Sequence, residues 1–329
     1  MRGHLPVPEM SRLEPPTKFG LVKEVRAYHN TKPIPPRRHG VHPSALPTLC
    51  PVKFTLYEWV REAIASDDPV QAAQAIEMFQ KINDDPVHGV SPGGRFKGEL
   101  LQEFRAGDDI HRNIQFDLGV IGRLWGQWKC PRCAWVSPEG LMPRAGYPAK
   151  GGGTVLDAAP CVRCAGRNKR EKVAWLYVEP GVAHWGYGII GHYDGDLRVT
   201  RGDQTWRLLL EVKSINENGY TEKYGALPKP EHIVQASVYA WLAGFSWICF
   251  VYVDKNQVHK WKEIVTPVDT AAISEVVAKL EAVKWARENR QLPLAARVCE
   301  DIRCTRARGC PLVYQCWGEE PPPNFWGDK

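Results

Sequence analysis

Leu208, Leu209 and Leu210 form a short apolar run that ends in Glu211, Val212 and Lys213. Such a run predicts a buried strand. The stretch from Gly191 predicts a second strand, joined to the first by a polar turn at Arg201, Gly202 and Asp203. Residues two apart on a strand share a face, so Glu211 and Lys213 point the same way, and a hairpin brings Asp194 beside them. Another apolar run predicts a core strand from Trp247 to Asp254.

Helical spacing appears on both sides of the hairpin. Phe54, Tyr57 and Val60 or Arg61 recur at helical spacing just after Cys50-Pro. A second helix is expected from Pro69, after Asp67 and Asp68, to Pro86 and the glycines near Gly93. A third, from about Gly98 to Leu124, places His111, Ile114, Gln115 and Leu118 on one side. Pro228-Lys-Pro230 introduces a helix from about Glu231 to Ala243 with Gln235 and Tyr239 four apart on one face. Asp269 is a good N-cap for a long amphipathic helix to about Arg290. Residues 1 to about 40, rich in proline and basic residues, show no period and read as an extended arm. The expected fold is α/β.

The length of 329 residues allows one large or two modest cores. A net charge of +6 with a pI near 8.7 is compatible with a polyanionic partner without selecting one. No basic-apolar-small pattern opens the chain, and the apolar run from Tyr239 to Val253 is too short for a bilayer and contains Gly244. The expectation is a soluble cytoplasmic protein, in the host cytoplasm if viral, with no membrane partner.

Without a secretory signal, ten cysteines in part at Cys-x-x-Cys spacing point to metal rather than disulfides. Cys130-Pro-Arg-Cys133 and Cys161-Val-Arg-Cys164 form paired knuckles suited to a closed structural Zn²⁺ site. The basic run from Arg167 to Lys172 follows; it is either a phosphate contact or a solvated loop. Cys299, Cys304, Cys310 and Cys316 lie near the C-terminus, with no histidine between them. Cys249 lies in the Trp247–Asp254 strand as a small hydrophobe.

Burying Glu211 and Lys213 at the end of a core strand costs several kcal/mol unless a divalent metal held by Glu211 and Asp194 compensates. Asp194-x(n)-Glu211-x-Lys213 resembles the signature of the PD-(D/E)xK nuclease superfamily, and Gln235-x-x-x-Tyr239 on the following helix resembles its RecB-like branch. That branch includes the CRISPR-associated-type iron–sulfur exonucleases and their phage relatives. Gly107-x-x-x-His111 resembles the branch's first motif, and Cys50 its N-terminal cluster ligand. The resemblance spans about residues 42–317. It implies a restriction-endonuclease-like mixed central sheet flanked by helices, with an inserted zinc knuckle and a C-terminal iron–sulfur staple.

The resemblance also implies roles. His111, Asp194, Glu211 and the Val212 carbonyl would bind Mg²⁺ or Mn²⁺, and Lys213 would orient a water, with Gln235 and Tyr239 supporting the lysine or touching the DNA backbone. Asp196 is the rival of Asp194, and Asp196 and Glu179 are expected to support the ligands. Cys50, Cys304, Cys310 and Cys316 would hold an iron–sulfur cluster of 4Fe-4S type. Cys299 is the alternative to Cys304, and Ala307 stands where the family has a cysteine. The implied divisions are an arm over 1–40, an N-terminal helical part over 41–125, the zinc knuckle over 126–172, the nuclease core over 173–295 and the iron–sulfur segment with its tail over 296–329. The implied activity is metal-dependent exonucleolytic cleavage of DNA at ends or single strands, in recombination, repair or phage DNA metabolism, with a helicase or recombination protein as a possible partner. The alternative is a catalytically inactive or non-enzymatic zinc-containing DNA-binding or scaffold protein.

Overall fold

The computed structural model describes residues 43–64, 68, 70, 90–91, 95–96, 98–148, 154–164, 173–201, 203–222, 226–304, 307, 310 and 316–317. The arm over 1–40, the body of the helix expected between Pro69 and Pro86, and the basic run Arg167–Lys172 lie outside these residues.

Four principal helices are described: α1 (Pro51–Ile64), α2 (Gly98–Val120), α3 (Pro230–Ala243) and α4 (Thr270–Asn289). The labelled strands are β1 (Leu124–Lys129), β2 (Gly140–Leu141), β3 (Leu176–Val178), β4 (Gly181–His184), β5 (Ile189–His192), β6 (Gly195–Arg201), β7 (Gln204–Ile215), β8 (Trp247–Asp254) and β9 (Trp261–Pro267). The central sheet runs in the order β9-β8-β7-β6-β1-β2, and β3 also pairs with β1, making seven strands. It is mixed, because β7 and β8 pair in parallel while the other pairs are antiparallel. β4 and β5 form a separate hairpin, and Arg144–Pro148 with Thr154–Ala158 form a second ribbon.

The expected hairpin is present as β6 and β7, with Arg201 opposite Gln204 and Gly195 opposite Leu210, but its first strand begins at Gly195 rather than Gly191, because Gly191 and His192 pair with Val182 and Gly181 in the β4–β5 hairpin. The alternation along β7 divides the core. Leu208, Leu210 and Val212 pack in the cluster containing Ile114 of α2, while Leu209 packs with Ala236, Tyr239 and Ala240 of α3. By the two-residue period, Glu211 and Lys213 share the side of Leu209 and face α3. The parallel step between β7 and β8 requires a crossover, which α3 supplies. Pro230 stands in its first turn, and Gly244, in the left-handed region at φ 72°, ends it.

α2 ends at Val120, four residues earlier than expected. Gly122 adopts φ 72°, and Leu124, wholly buried, already begins β1. Asp269 caps α4, its side chain accepting from Ala272 N at 2.9 Å. α4 is tied to α1 by Arg287 Nε, which donates to Glu58 Oε2 at 2.7 Å, and by Arg290 with Glu62 at 2.6 Å.

α2 lies close against β1. A Cβ added at Gly119 would come within 2.3 Å of the indole of Trp128, which has no exposed surface. Gly119→Ala should therefore cost roughly 1–3 kcal/mol through overpacking. Gly140→Ala, where an added Cβ meets nothing within 4 Å, should be close to neutral. Denaturant unfolding of the two variants checks this, and equal midpoints would show that α2 can shift away from the sheet.

Candidate metal and nuclease site

The site is assembled where β6 begins alongside the middle of β7. Asp194 directly precedes β6, and its Oδ2 accepts from the backbone N–H of Val212 at 2.6 Å, which ties it to the strand carrying Glu211 and Lys213. Its Oδ1 lies 3.5 Å from Nδ1 of His111 on α2. Gln115, one turn further along α2, donates through Nε2 to Glu179 Oε1 at 3.0 Å and to the Asp194 carbonyl at 2.9 Å. Ligand atoms of His111, Glu179 and Asp194 all lie within 4.8 Å of one another, a spacing that can hold a cation.

Glu211 is 2 % exposed. Its Oε1 pairs with Lys213 Nζ at 2.6 Å, and its buried Oε2 has no hydrogen-bond partner among the described residues. Lys213 Nζ also donates to Gln235 Oε1 at 3.1 Å. Tyr239, one turn beyond Gln235 on α3, hydrogen-bonds the Gln235 side chain. His111 and Asp194 thus meet Glu211, Lys213, Gln235 and Tyr239 in one constellation contributed by α2, the β6–β7 hairpin and α3. The unpartnered Glu211 oxygen is the kind of buried acceptor a metal ion would satisfy.

The electrostatics follow from burial among like charges. Burial pushes Glu211 up to about 7; the Lys213 charge opposes the shift and Asp194 adds to it. Burial and the Asp194 charge raise Glu179. For His111 burial disfavours the imidazolium, but the hydrogen bond and charge of Asp194 outweigh it and the pKa rises. Lys213 is likewise raised, burial being overcome by Glu211 and Asp194.

Asp196, two residues beyond Asp194, has a different environment. Its Oδ2 accepts from Arg207 Nε at 2.9 Å and lies 3.7 Å from Arg198. Those guanidiniums stack over Phe245 and Trp125 at 4.2 and 3.8 Å. Its place is in an ion-paired part of the sheet. Glu179, expected only as a support, stands among the three grouped ligand atoms. Gln115, noted only for its place on the His111 face, holds both carboxylate residues. The only sequence signal for its role was the helical spacing from His111.

Cys130, Cys133, Cys161 and Cys164 converge, their sulfurs all within 4.8 Å. Cys130 and Cys164 are 3.6 Å apart, and Cys133 and Cys161 are 3.7 Å apart. Burial resists ionisation of Cys130, but the N–H groups of Cys133 and Arg132 and the neighbouring thiols bring it down to about 7. Burial and the other three thiols push Cys164 up to about 12. A thiol whose pKa is lowered by backbone donors is a good start for metal binding.

At the other end, Cys50, Cys299, Cys310 and Cys316 line one cavity with Lys53, Leu56 and Trp317. Cys304 lies against Cys299, hydrogen-bonding its thiol, while its own sulfur accepts from Ala307 N at 3.3 Å. Cys249 is buried in β8 as expected.

No protein-family profile matches the chain, and no curated protein matches it in sequence. Among solved structures, the alkaline exonuclease LHK-Exo from Laribacter hongkongensis is 15 % identical, covering 82 % of this chain and 93 % of its own, with a TM-score of 0.35. Its complex with dAMP gives 0.32 at the same identity and coverage. SSO0001 is 12 % identical, covering 85 % and 94 %, with a TM-score of 0.32. Likeness at this level leaves the reading to the site itself.

A raised carboxyl pKa has a definite sign in stability. Between the ordinary value of 4.5 and about 7, the folded metal-free protein keeps a proton on Glu211 that the unfolded chain has released. Its contribution to stability is therefore largest below 4.5 and falls as pH rises through that window. Thermal melts without divalent ions should show a weaker decline with pH in Glu211→Gln than in wild type. Parallel pH profiles would show that Glu211 ionises as an ordinary carboxyl.

Proposed function

We propose that the chain is a divalent-metal-dependent nuclease that hydrolyses DNA, acting as an exonuclease on ends or single strands. The observation that carries this is the buried Glu211, one oxygen on Lys213 and the other without a partner, beside the grouped His111, Glu179 and Asp194. Packing alone gives no return for that arrangement. The order of Asp194, Glu211, Lys213, Gln235 and Tyr239 along the chain, with its resemblance to RecB-like nucleases, supports DNA as substrate.

In this reading His111, Asp194, Glu211 and the Val212 carbonyl hold Mg²⁺ or Mn²⁺, and Glu179 joins them. The cation would lower the pKa of a water and stabilise negative charge on the phosphodiester. Lys213, charged and held by Glu211 and Gln235, orients the attacking water and balances charge developing on the phosphate. Gln235 sets the lysine's direction, and Tyr239 sets that of Gln235. Gln115 fixes Asp194 and Glu179 relative to each other.

The cysteine groups serve structure. The Cys130, Cys133, Cys161 and Cys164 quartet takes Zn²⁺, a closed site with no position left for substrate. Cys50, Cys304, Cys310 and Cys316 hold an iron–sulfur cluster, with Cys299, which lines a cavity with Cys50, Cys310 and Cys316, as the alternative to Cys304.

Purified protein with end-labelled single- and double-stranded DNA should cut in Mg²⁺ or Mn²⁺ and stop in EDTA. Asp194→Ala, Glu211→Gln and Lys213→Ala should each lose about a hundredfold or more in rate. Asp196→Ala should lose stability more than rate, since it removes the partner of two stacked guanidiniums. Metal-independent cutting, or full rates in the Glu211 and Lys213 variants, would overturn the assignment.

Metal analysis separates the two cysteine groups. Anaerobically prepared protein should be brown and carry about one zinc per chain beside its iron. Cys161→Ser should lose the zinc, whereas Cys50→Ser should lose the iron and colour while keeping the zinc. A colourless protein with two zincs would assign both groups to zinc.

A further inference from the structure

α3 brings a third polar side chain to the site, His232, one turn ahead of Gln235. β7 and β8 pair with Lys213 opposite Tyr252, so the ammonium and the phenol stand side by side on the face that α3 covers. Gln235 reaches the lysine, and His232 Nδ1 lies 2.8 Å from the Tyr252 hydroxyl.

The role of Nδ1 in that last bond depends on the imidazole's tautomer. The backbone N–H of Lys229 donates to the Tyr252 oxygen at 3.3 Å. The phenol accepts there and keeps its own proton available for His232 Nδ1. Nδ1 is then the acceptor, and the proton of the neutral ring sits on Nε2. Burial first, and the Lys213 charge second, bring His232 down to about 4, so the ring is neutral at neutral pH. It is only partly buried, and among the described residues no hydrogen-bond partner of Nε2 is found.

In that tautomer a neutral, partly buried N–H donor near the Lys213 charge suits an anionic oxygen. It lies three residues from Gln235, about 4.5 Å along the helix axis, which offsets it from the phosphate served by Lys213. We infer that His232 is a substrate-binding residue whose Nε2–H donates to a non-bridging oxygen of the phosphodiester next to the one being cut. This rests on the nuclease reading above.

Two substitutions separate this role from packing. His232→Asn can keep the bond to Tyr252 but has no group at the Nε2 position, whereas His232→Gln places an amide N–H near it. The asparagine variant should raise KM for end-labelled DNA about tenfold, the effect of one hydrogen bond to a charged group, with kcat and melting temperature near wild type. The glutamine variant should stay within about threefold of wild-type KM on the same scale. Against bis(p-nitrophenyl) phosphate, which has no neighbouring phosphodiester, the asparagine variant should match wild type. Wild-type KM for DNA in His232→Asn, or equal losses in both variants with lowered melting temperatures, would overturn the inference while leaving the nuclease reading intact. Wild-type protein that cuts neither substrate in Mn²⁺ would remove both.

Discussion

A carboxylate held at 2 % exposure on the sheet face that α3 covers, with Lys213 on one oxygen and, among the described residues, no donor on the other, is the constraint to which the rest of the structure answers. Taking such a pair from water costs several kcal/mol per ion before any return. The sheet gains nothing from the pair that a leucine and a methionine would not supply. The return comes from the neighbours. Val212, between the two charges, offers its N–H to Asp194, so the backbone bond that fixes the third charged group comes from the same three residues. The charges are buried together, and the strand register keeps them so.

Two carboxylates two residues apart acquire opposite characters from that register. Asp194 precedes β6 and meets His111 and the Val212 N–H. Asp196, inside β6, meets Arg207 and Arg198, each stacked on a ring. One acidic group is neutralised by cations of the protein itself, and the other is grouped with a histidine and a second acid. Environment, rather than residue type, divides their roles. Gln115 makes the division firm, because its amide spans Glu179 and the Asp194 carbonyl and holds the negative groups at a set separation.

The hairpin, the β8 strand and the helices carrying His111, Gln235 and Asp269 were legible because each has a strong local period and a turn or cap at its boundary. The sides they take were legible for the same reason: a two-residue period sends Glu211 and Lys213 to α3 once Leu208 and Leu210 go to α2. Glu179 was harder to place, because it lies outside any strand and its proximity to Asp194 depends on the β4–β5 hairpin folding out between them. That hairpin has only short runs, Gly181–His184 and Ile189–His192, too brief for periodicity to announce. Nothing local in the sequence decides between Cys299 and Cys304. In the fold, Cys299 lines a cavity with Cys50, Cys310 and Cys316, and Cys304 lies against Cys299 with its sulfur accepting from the Ala307 N–H.

The Cys130 quartet is part of the main body. Cys130 follows β1 directly, and Cys130 and Cys161 pack in the same core as Trp128, Trp175, Leu210 and Val212. β1 in turn is the strand on which β6 leans, with Trp125 opposite Asp196 and Leu124 opposite Leu197. A metal closing the four thiols would therefore hold the end of β1, β1 would hold β6, and β6 fixes where Asp194 stands against Val212. The same reasoning applies to the other chain end. Cys50 precedes α1, α1 is bound to α4 by Glu58 and Glu62, and α4 packs through Val276 and Leu280 with Val238 of α3. The first group thus lies one packed element, β1, from the strand that follows Asp194, and the second lies two, α1 and α4, from the helix that carries Gln235 and Tyr239. Metal binding at either group would reach the site as restricted motion of those elements, without a sulfur approaching the substrate.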